Sequence, residues 1–376
     1  MKIKKYHLFY FFYLLIVSGS VNADYQKGVE AYKDKNYTLA FENWSKAEEQ
    51  NNLLSQFHLA LLYKNALGVD RDYKTAFKLF KKTSDQGLLE GHYNLALLYL
   101  HGLGVNKDYK LALEFFNLSK EKIFNANYYL GQIYLNGFGV TKNYNVAANF
   151  FKTASEYNIS EADCSLGILY LDGLGVPQNY DEAFKYFKKG VKENITDCQN
   201  GIGWIYDNGL GVVKSIDKAL YWYKLAAYQN HREAQYNIGL IYLNDNLNYD
   251  SKLIALKWFS LSANQGLPEA QYNLASMYFD GIGVVQDFTK AFKYFLMSAE
   301  NGFNISQYQL SKMYSKGWGV KKNIIKSFMW ANISASQGHE ESLNKRNQLL
   351  SELNNAEVQK AQKLSLECFS KKLKNC

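Results

Sequence analysis

The chain has 376 residues, 43 Lys and Arg against 35 Asp and Glu, and a formal net charge of +8. That length excludes a chain too small to bury a sizeable core, and charges spread along it rather than clustered exclude a nucleic-acid surface. The four cysteines, Cys164, Cys198, Cys368 and Cys376, form no CxxC and no Cys/His group with metal spacing, and no histidines pair at i and i+4, so no metal or other cofactor is expected.

At the N-terminus Lys2, Lys4 and Lys5 precede the apolar run Leu8 to Val17 and the small-residue stretch SGSVNA. This predicts a secretory signal at 1–23, cleaved after Ala23, which lowers the formal charge by three to +5. The apolar run is ten residues, short of the roughly 20 needed to span a bilayer, and no second one follows. The expectation is an exported chain, periplasmic or secreted, with no membrane span. The first cysteine is Cys164, which gives no support to an N-terminal lipid anchor.

From Asp24 onward the chain repeats. The turn pattern YLHGLGV returns as YLNGFGV, YLDGLGV, YDNGLGV, YFDGIGV and YSKGWGV, and its second glycine falls at 68, 104, 139, 175, 211, 283 and 319. The steps are 36 residues, once 35 and once doubled where the turn has drifted to NDNLN, Asn244 to Asn248. Ala40, Ala76, Ala112, Ala147, Ala183, Ala219, Ala255, Ala291 and Ser327 keep the same phase, as do tyrosines from Tyr63 to Tyr314. Such a period marks stacked supersecondary units. Before each turn AQYNIGLIY places apolar and small residues at helical spacing; after it YDEAFKYFKKGVKEN does so again, with Ala183, Phe184 and Phe187 on one face. Each unit is therefore a helical hairpin, too small to bury its apolar face alone. Pro177 and Pro268 fall at or near helix starts, where the missing N–H costs least.

The first unit differs: Gly28 to Ala40 spans 12 residues where Ala60 to Ala76 spans 16, so it lacks the four-residue Gly-rich insertion. Without that insertion the unit resembles a tetratricopeptide repeat. With it, DCSLGILYLDGLGV and DKALYWYKLAA resemble the Sel1-like repeat over about residues 24 to 340. The segment from Ser327 on is similar to the closing helices of bacterial Sel1-like proteins. The predicted fold is all-α, an α/α solenoid (superhelix) of about nine helical hairpins. Its parts are a signal at 1–23, a tetratricopeptide-like unit at 24–52, Sel1-like repeats at 53–339 and capping helices and tail at 340–376.

The resemblance implies that first helices line a concave side, where a protein or peptide ligand is held. Twelve residues before the anchor glycines stand Gln56, His92, Asn127, Asp163, Gln199, Gln235, Gln271 and Gln307; two residues further on come His58, Asn94, Tyr129, Ser165, Gly201, Asn237, Asn273 and Gln309. His92, Asn94, Gln199, Gln235, Asn237, Gln271, Asn273 and Gln307 are the candidate partner ladder. The alternative is that these amides belong to the repeat pattern and bond neighbouring helices. Cys368 and Cys376 are eight apart, about 12 Å along an unbroken helix, so a bridge requires the last helix to end within SKKLKN. The spacing is also similar to that of cysteine-rich Sel1-like proteins. Cys164 and Cys198, in successive first helices, are either a second bridge or buried thiols.

Three SxxK sequences lack the SDN and KTG that accompany catalytic ones and read as solvated helix surface. The Gly-rich turns follow helices, which is not the context of a phosphate loop. The expected function is a non-enzymatic protein-interaction scaffold or adaptor of the bacterial envelope or secreted space, in the range that reaches host contact and virulence. The second reading, also from the resemblance, is a β-lactam-binding or -hydrolysing protein, or a binder of peptidoglycan fragments. The oligomeric state is left open.

Overall fold

The computed structural model describes residues 23–244 and 249–376; the signal segment before Ala23 and the drifted turn at 245–248 lie outside the described residues. Among those described every regular element is helical, and the chain divides into two compact units that meet in sequence at Asn179 and Tyr180.

In the first unit α1 (Ala23–Lys33) pairs with α2 (Tyr37–Glu49), α3 (Leu53–Asn65) with α4 (Tyr73–Asp85), α5 (Leu89–His101) with α6 (Tyr109–Ser119) and α7 (Asn125–Asn136) with α8 (Tyr144–Glu156), and α9 (Ser160–Asp172) follows. Three residues join the first pair and seven the second, the four-residue difference that the spacing predicts. Local chemistry sets these ends. Second helices start on a side-chain cap: Asp72 accepts from the N–H groups of Lys74 and Thr75, and Asp108 from those of Lys110 and Leu111. The N–H of the same cap residue closes the loop, Asp108 donating to the Tyr99 carbonyl at 3.0 Å. First helices end on a left-handed residue such as Gly102, φ 70°, which any Cβ would strain.

The second glycine of the turn has another task. Gly104 has φ 72°, and a Cβ there would lie 2.1 Å from the Tyr73 carbonyl oxygen, at the start of the preceding pair's second helix. Thus the turn of one hairpin touches the backbone of the hairpin before it. The ring of Tyr99 adds to this joint, 5.5 Å from Phe77 and 6.0 Å from Phe115. Ala40, Ala76, Ala112 and Ala147 have no exposed surface, since helix crosses helix too closely there for anything larger.

The second unit repeats the plan with α10 (Tyr180–Gly190), α11 (Thr196–Asn208), α12 (Ile216–Ala227), α13 (Arg232–Asn244), α14 (Tyr249–Asn264), α15 (Pro268–Asp280), α16 (Phe288–Glu300), α17 (Asn304–Lys316) and α18 (Ile324–Ser336). Pro268 opens α15, where its missing N–H is spare. Beside the drifted turn, Tyr242 and the fully buried Ala255 stay within the core clusters, so the α13–α14 hairpin keeps phase. α19 (Glu340–Leu350) follows, and α20 (Asn355–Ser370) folds back on α18. Phe328 and Ala331 of α18, Leu349 of α19 and Ala361 of α20 form one buried cluster, which covers the apolar face of the last repeat. The fold is all-α, an α/α solenoid of about nine repeats.

Candidate functional site

The column twelve residues before the anchor glycines turns inward. Gln199, Gln235, Gln271 and Gln307 are buried, at most 2% exposed. In three of them the amide works in both directions. Gln235 Nε2 donates to the Ala227 carbonyl at 3.1 Å, Gln271 to Ala263 at 3.1 Å and Gln307 to Ala299 at 3.2 Å, at the end of the preceding second helix. Their oxygens accept from Gln265, Asn301 and Gln337, at the end of their own hairpin's second helix. Gln199 accepts from Gln229 in the same way at 3.0 Å and donates to Asn194 Oδ1. Carbonyls at a helix C-terminus lack intrahelical partners, and an amide supplies the missing donor. These glutamines are staples between hairpins.

In the first unit the same column holds different residues. His92 Nδ1 bonds Ser84 Oγ at 2.6 Å, Asn127 Nδ2 donates to the Lys120 carbonyl at 3.0 Å, and Asp163 accepts from Ser155 Oγ. Gln56 accepts from Gln86 at 3.4 Å, while its Nε2 is buried without a partner among the described residues.

Two residues further on, the side chains lie nearer the surface. Asn237 and Asn273 are half-buried and donate to the neighbouring first helix, to Asn200 Oδ1 at 3.1 Å and Tyr236 Oη at 3.3 Å. Asn94 is buried: it donates to the Glu90 carbonyl and accepts from Lys64 Nζ at 2.8 Å. Gly201 cannot carry a side chain, because a Cβ would meet the Phe187 ring at 2.5 Å.

One feature of the first unit escapes the ladder. A cavity of about 310 Å³ opens where α5 ends and α7 runs past it, walled by Tyr109, Tyr128 and Phe138, with His101, Lys107 and Gln132 around them. Tyr109 and Phe138 stack with centroids 4.9 Å apart, and Lys107 Nζ lies 5.7 Å from the Tyr109 ring. Gln132 Nε2 donates to Tyr128 Oη at 3.3 Å. Burial, then Lys107 and Lys64, hold the His101 imidazole below its usual value. Burial also pulls the Lys64 ammonium down to about 8. The sequence carried a signal for this: His101 stands where most turns have Asn or Asp, Tyr129 where later repeats have Asn237 and Asn273, and Lys64 in a column where the next three repeats hold Leu100, Leu135 and Leu171.

Cys368 and Cys376 are bonded, with Cα atoms 5.2 Å apart. The bridge forms because α20 stops at Ser370 and the chain turns through left-handed Lys372 and Leu373. The tail is further held by Lys374 on Asn301 and by the Asn375 N–H on Glu300. Cys164 and Cys198 are both disulfide-bonded, and no described cysteine is a free thiol. Among the described residues no group of three or more His, Cys, Asp or Glu is placed to hold a metal ion, and no helix is long and apolar enough to cross a membrane.

Stacked helical pairs with a recurring turn and a repeated polar column define a helical-repeat solenoid. The Sel1 repeat family model matches nine times in succession, over 19–52, 53–88, 89–122, 125–156, 160–194, 196–231, 232–267, 268–303 and 304–339. The chain belongs to the Sel1 repeat family, whose members are generally protein-interaction scaffolds. The match takes in the short first unit as well. Among solved structures, a Sel1 repeat protein from Oxalobacter formigenes is 30% identical, with 64% of this chain and 99% of that one covered at a TM-score of 0.56. The protective antigen c5321 of uropathogenic Escherichia coli is 23% identical over 93% of this chain and 84% of its own, with a TM-score of 0.53, a likeness of fold. None of the curated proteins compared matches this chain.

Proposed function

We propose that this protein is an exported, non-enzymatic scaffold that holds an extended segment of a partner protein along the exposed edge of its first helices. The observation that carries the reading is the row of half-buried amides two residues after the buried staples, Asn237 and Asn273. Each spends its N–H on the neighbouring helix and keeps a carbonyl oxygen at a fixed repeat spacing, which suits the N–H groups of an extended peptide. The staples at Gln235 and Gln271 contribute by holding those helices in register. Export rests on the sequence of residues 1–23 and is compatible with paired cysteines.

Changing Asn237 and Asn273 together to Ala is expected to abolish capture of a partner in pull-down and leave the helical circular-dichroism signal unchanged. Undiminished capture by the double variant would overturn the placement. The enzymic alternative predicts nitrocefin turnover by the purified chain, and the scaffold reading predicts none.

A further inference from the structure

The cavity in the first unit differs from the rest of the surface in both shape and charge. About 310 Å³ lies at the small end of ligand pockets, room for one large side chain rather than for a cofactor. Its walls are aromatic: Phe138 is 36% exposed while stacked on Tyr109, and Tyr128 presents a ring with its hydroxyl held by Gln132. Exposed aromatic surface of this kind gains from covering. The rim carries a cation: Lys107 lies over the wall, and the charge of Lys64, outside the lining, is felt at His101.

Lys64 is the informative group. It is a largely desolvated ammonium whose hydrogen bond goes to the neutral Asn94 Oδ1 at 2.8 Å, and among the described residues no carboxylate pairs with it. A part-buried cation without a counter-ion costs free energy unless something else offsets it. It occupies a column where neighbouring repeats hold leucine, so packing does not require the charge. Two acids act nearby, Glu161 on the lining residue Tyr129 and Asp108 on Tyr99, and neither shifts His101. The cavity therefore combines an aromatic wall with an exposed lysine, Lys107, at its rim.

We propose that this cavity is the anchor subsite for an acidic-aromatic segment of a partner protein, one aromatic side chain entering against Tyr128 and Phe138 while an adjacent carboxylate pairs with Lys107 and His101. The proposal rests on the scaffold reading and gives it a partner chemistry. The carboxylate supplies a counter-charge to Lys107, and the ring covers Phe138.

The test is fluorescence anisotropy with labelled synthetic peptides: Gly-Ser-Asp-Phe-Asp-Ser-Gly, and versions with Asn for both Asp or Ala for Phe. The acidic-aromatic peptide is expected to bind saturably and at least tenfold tighter than either control, and more weakly at 0.5 M salt. Lys107→Gln and Phe138→Ala, both on exposed side chains, are each expected to weaken it about tenfold with an unchanged circular-dichroism spectrum. Equal binding of the three peptides, no saturable binding, or variants that bind like the wild type would overturn the subsite. Loss of peptide binding in Asn237→Ala/Asn273→Ala but not in the cavity variants would refute the subsite and leave the scaffold reading standing.

Discussion

The two units meet one packing requirement in two ways. In the second, four successive hairpins place glutamine at the same point, and Gln235, Gln271 and Gln307 make the same pair of bonds. In the first, Gln56 keeps the same bond, accepting from Gln86, while His92, Asn127 and Asp163 replace glutamine in the column and each finds a local partner of its own. The open aromatic cavity lies in the irregular unit. A repeat that keeps its staple is fully committed to the stack, whereas one that departs from it has side chains to spare for other contacts.

What the units share is the turn, and it should fail equally in both. Gly104→Ala and Gly319→Ala each force a Cβ to within 2.1 Å and 2.0 Å of a carbonyl oxygen, at Tyr73 and Phe288, in a left-handed backbone. Each is expected to cost about 3 kcal/mol in urea unfolding, strain and overpacking together. Gly102→Ala, whose Cβ would meet its nearest atom at 3.3 Å, is expected to cost about 1 kcal/mol. Equal costs at Gly102 and Gly104 would show that the turn does not join hairpins.

Next in size is the staple. Gln271→Ala strands the Ala263 carbonyl and the Asn301 amide, so about 2 to 3 kcal/mol is expected; Asn127→Ala, with one bond to lose, should cost about 1 kcal/mol. Equal losses would erase the distinction between the units.

The first unit alone carries a buried histidine against its tryptophan. His58 stacks 4.7 Å from Trp44, and burial pulls its imidazole down to about 4. Because this base is depressed in the folded chain, the unfolded chain takes up the proton first. Stability is present above about pH 6.5 and drains as pH falls toward 4, by about 2 kcal/mol at pH 5. Amide exchange in α1 to α3 is expected to accelerate between pH 7 and 5, once corrected for intrinsic rates. The same segments should be pH-insensitive in His58→Phe. Acceleration of equal size in α15 to α18 would break the contrast.

The smallest effect on stability is expected where the proposed function lies. Asn237→Ala with Asn273→Ala removes part-exposed bonds and should cost under about 1 kcal/mol by chemical denaturation. A larger loss would make these asparagines a second set of staples.

Much of the fold was legible in the sequence because its causes are local. The anchor glycines, the buried alanines and the Asp, Asn and Ser caps each act within a turn or between adjacent hairpins, so they recur at the period itself. The spacing of Cys368 and Cys376 set only a condition, that the last helix end within SKKLKN, and α20 meets it. The candidate site was legible only as a column. Gln235 and Asn237 are two residues apart on one helix, both polar amides, and helical periodicity does not say which faces the preceding hairpin.

The sequence by itself determined the period, the helical pairs, the turn and the family, because repetition writes short-range geometry into the chain many times over. Only the tertiary structure decided which amides are buried and which stay at the surface. Burial depends on how closely the next hairpin approaches, and that approach is set by backbone contacts such as Gly104 on Tyr73. The cavity belongs to the same class of fact: its walls come from Leu100 to Phe138, two successive hairpins and their turns, and become neighbours only when the hairpins stack.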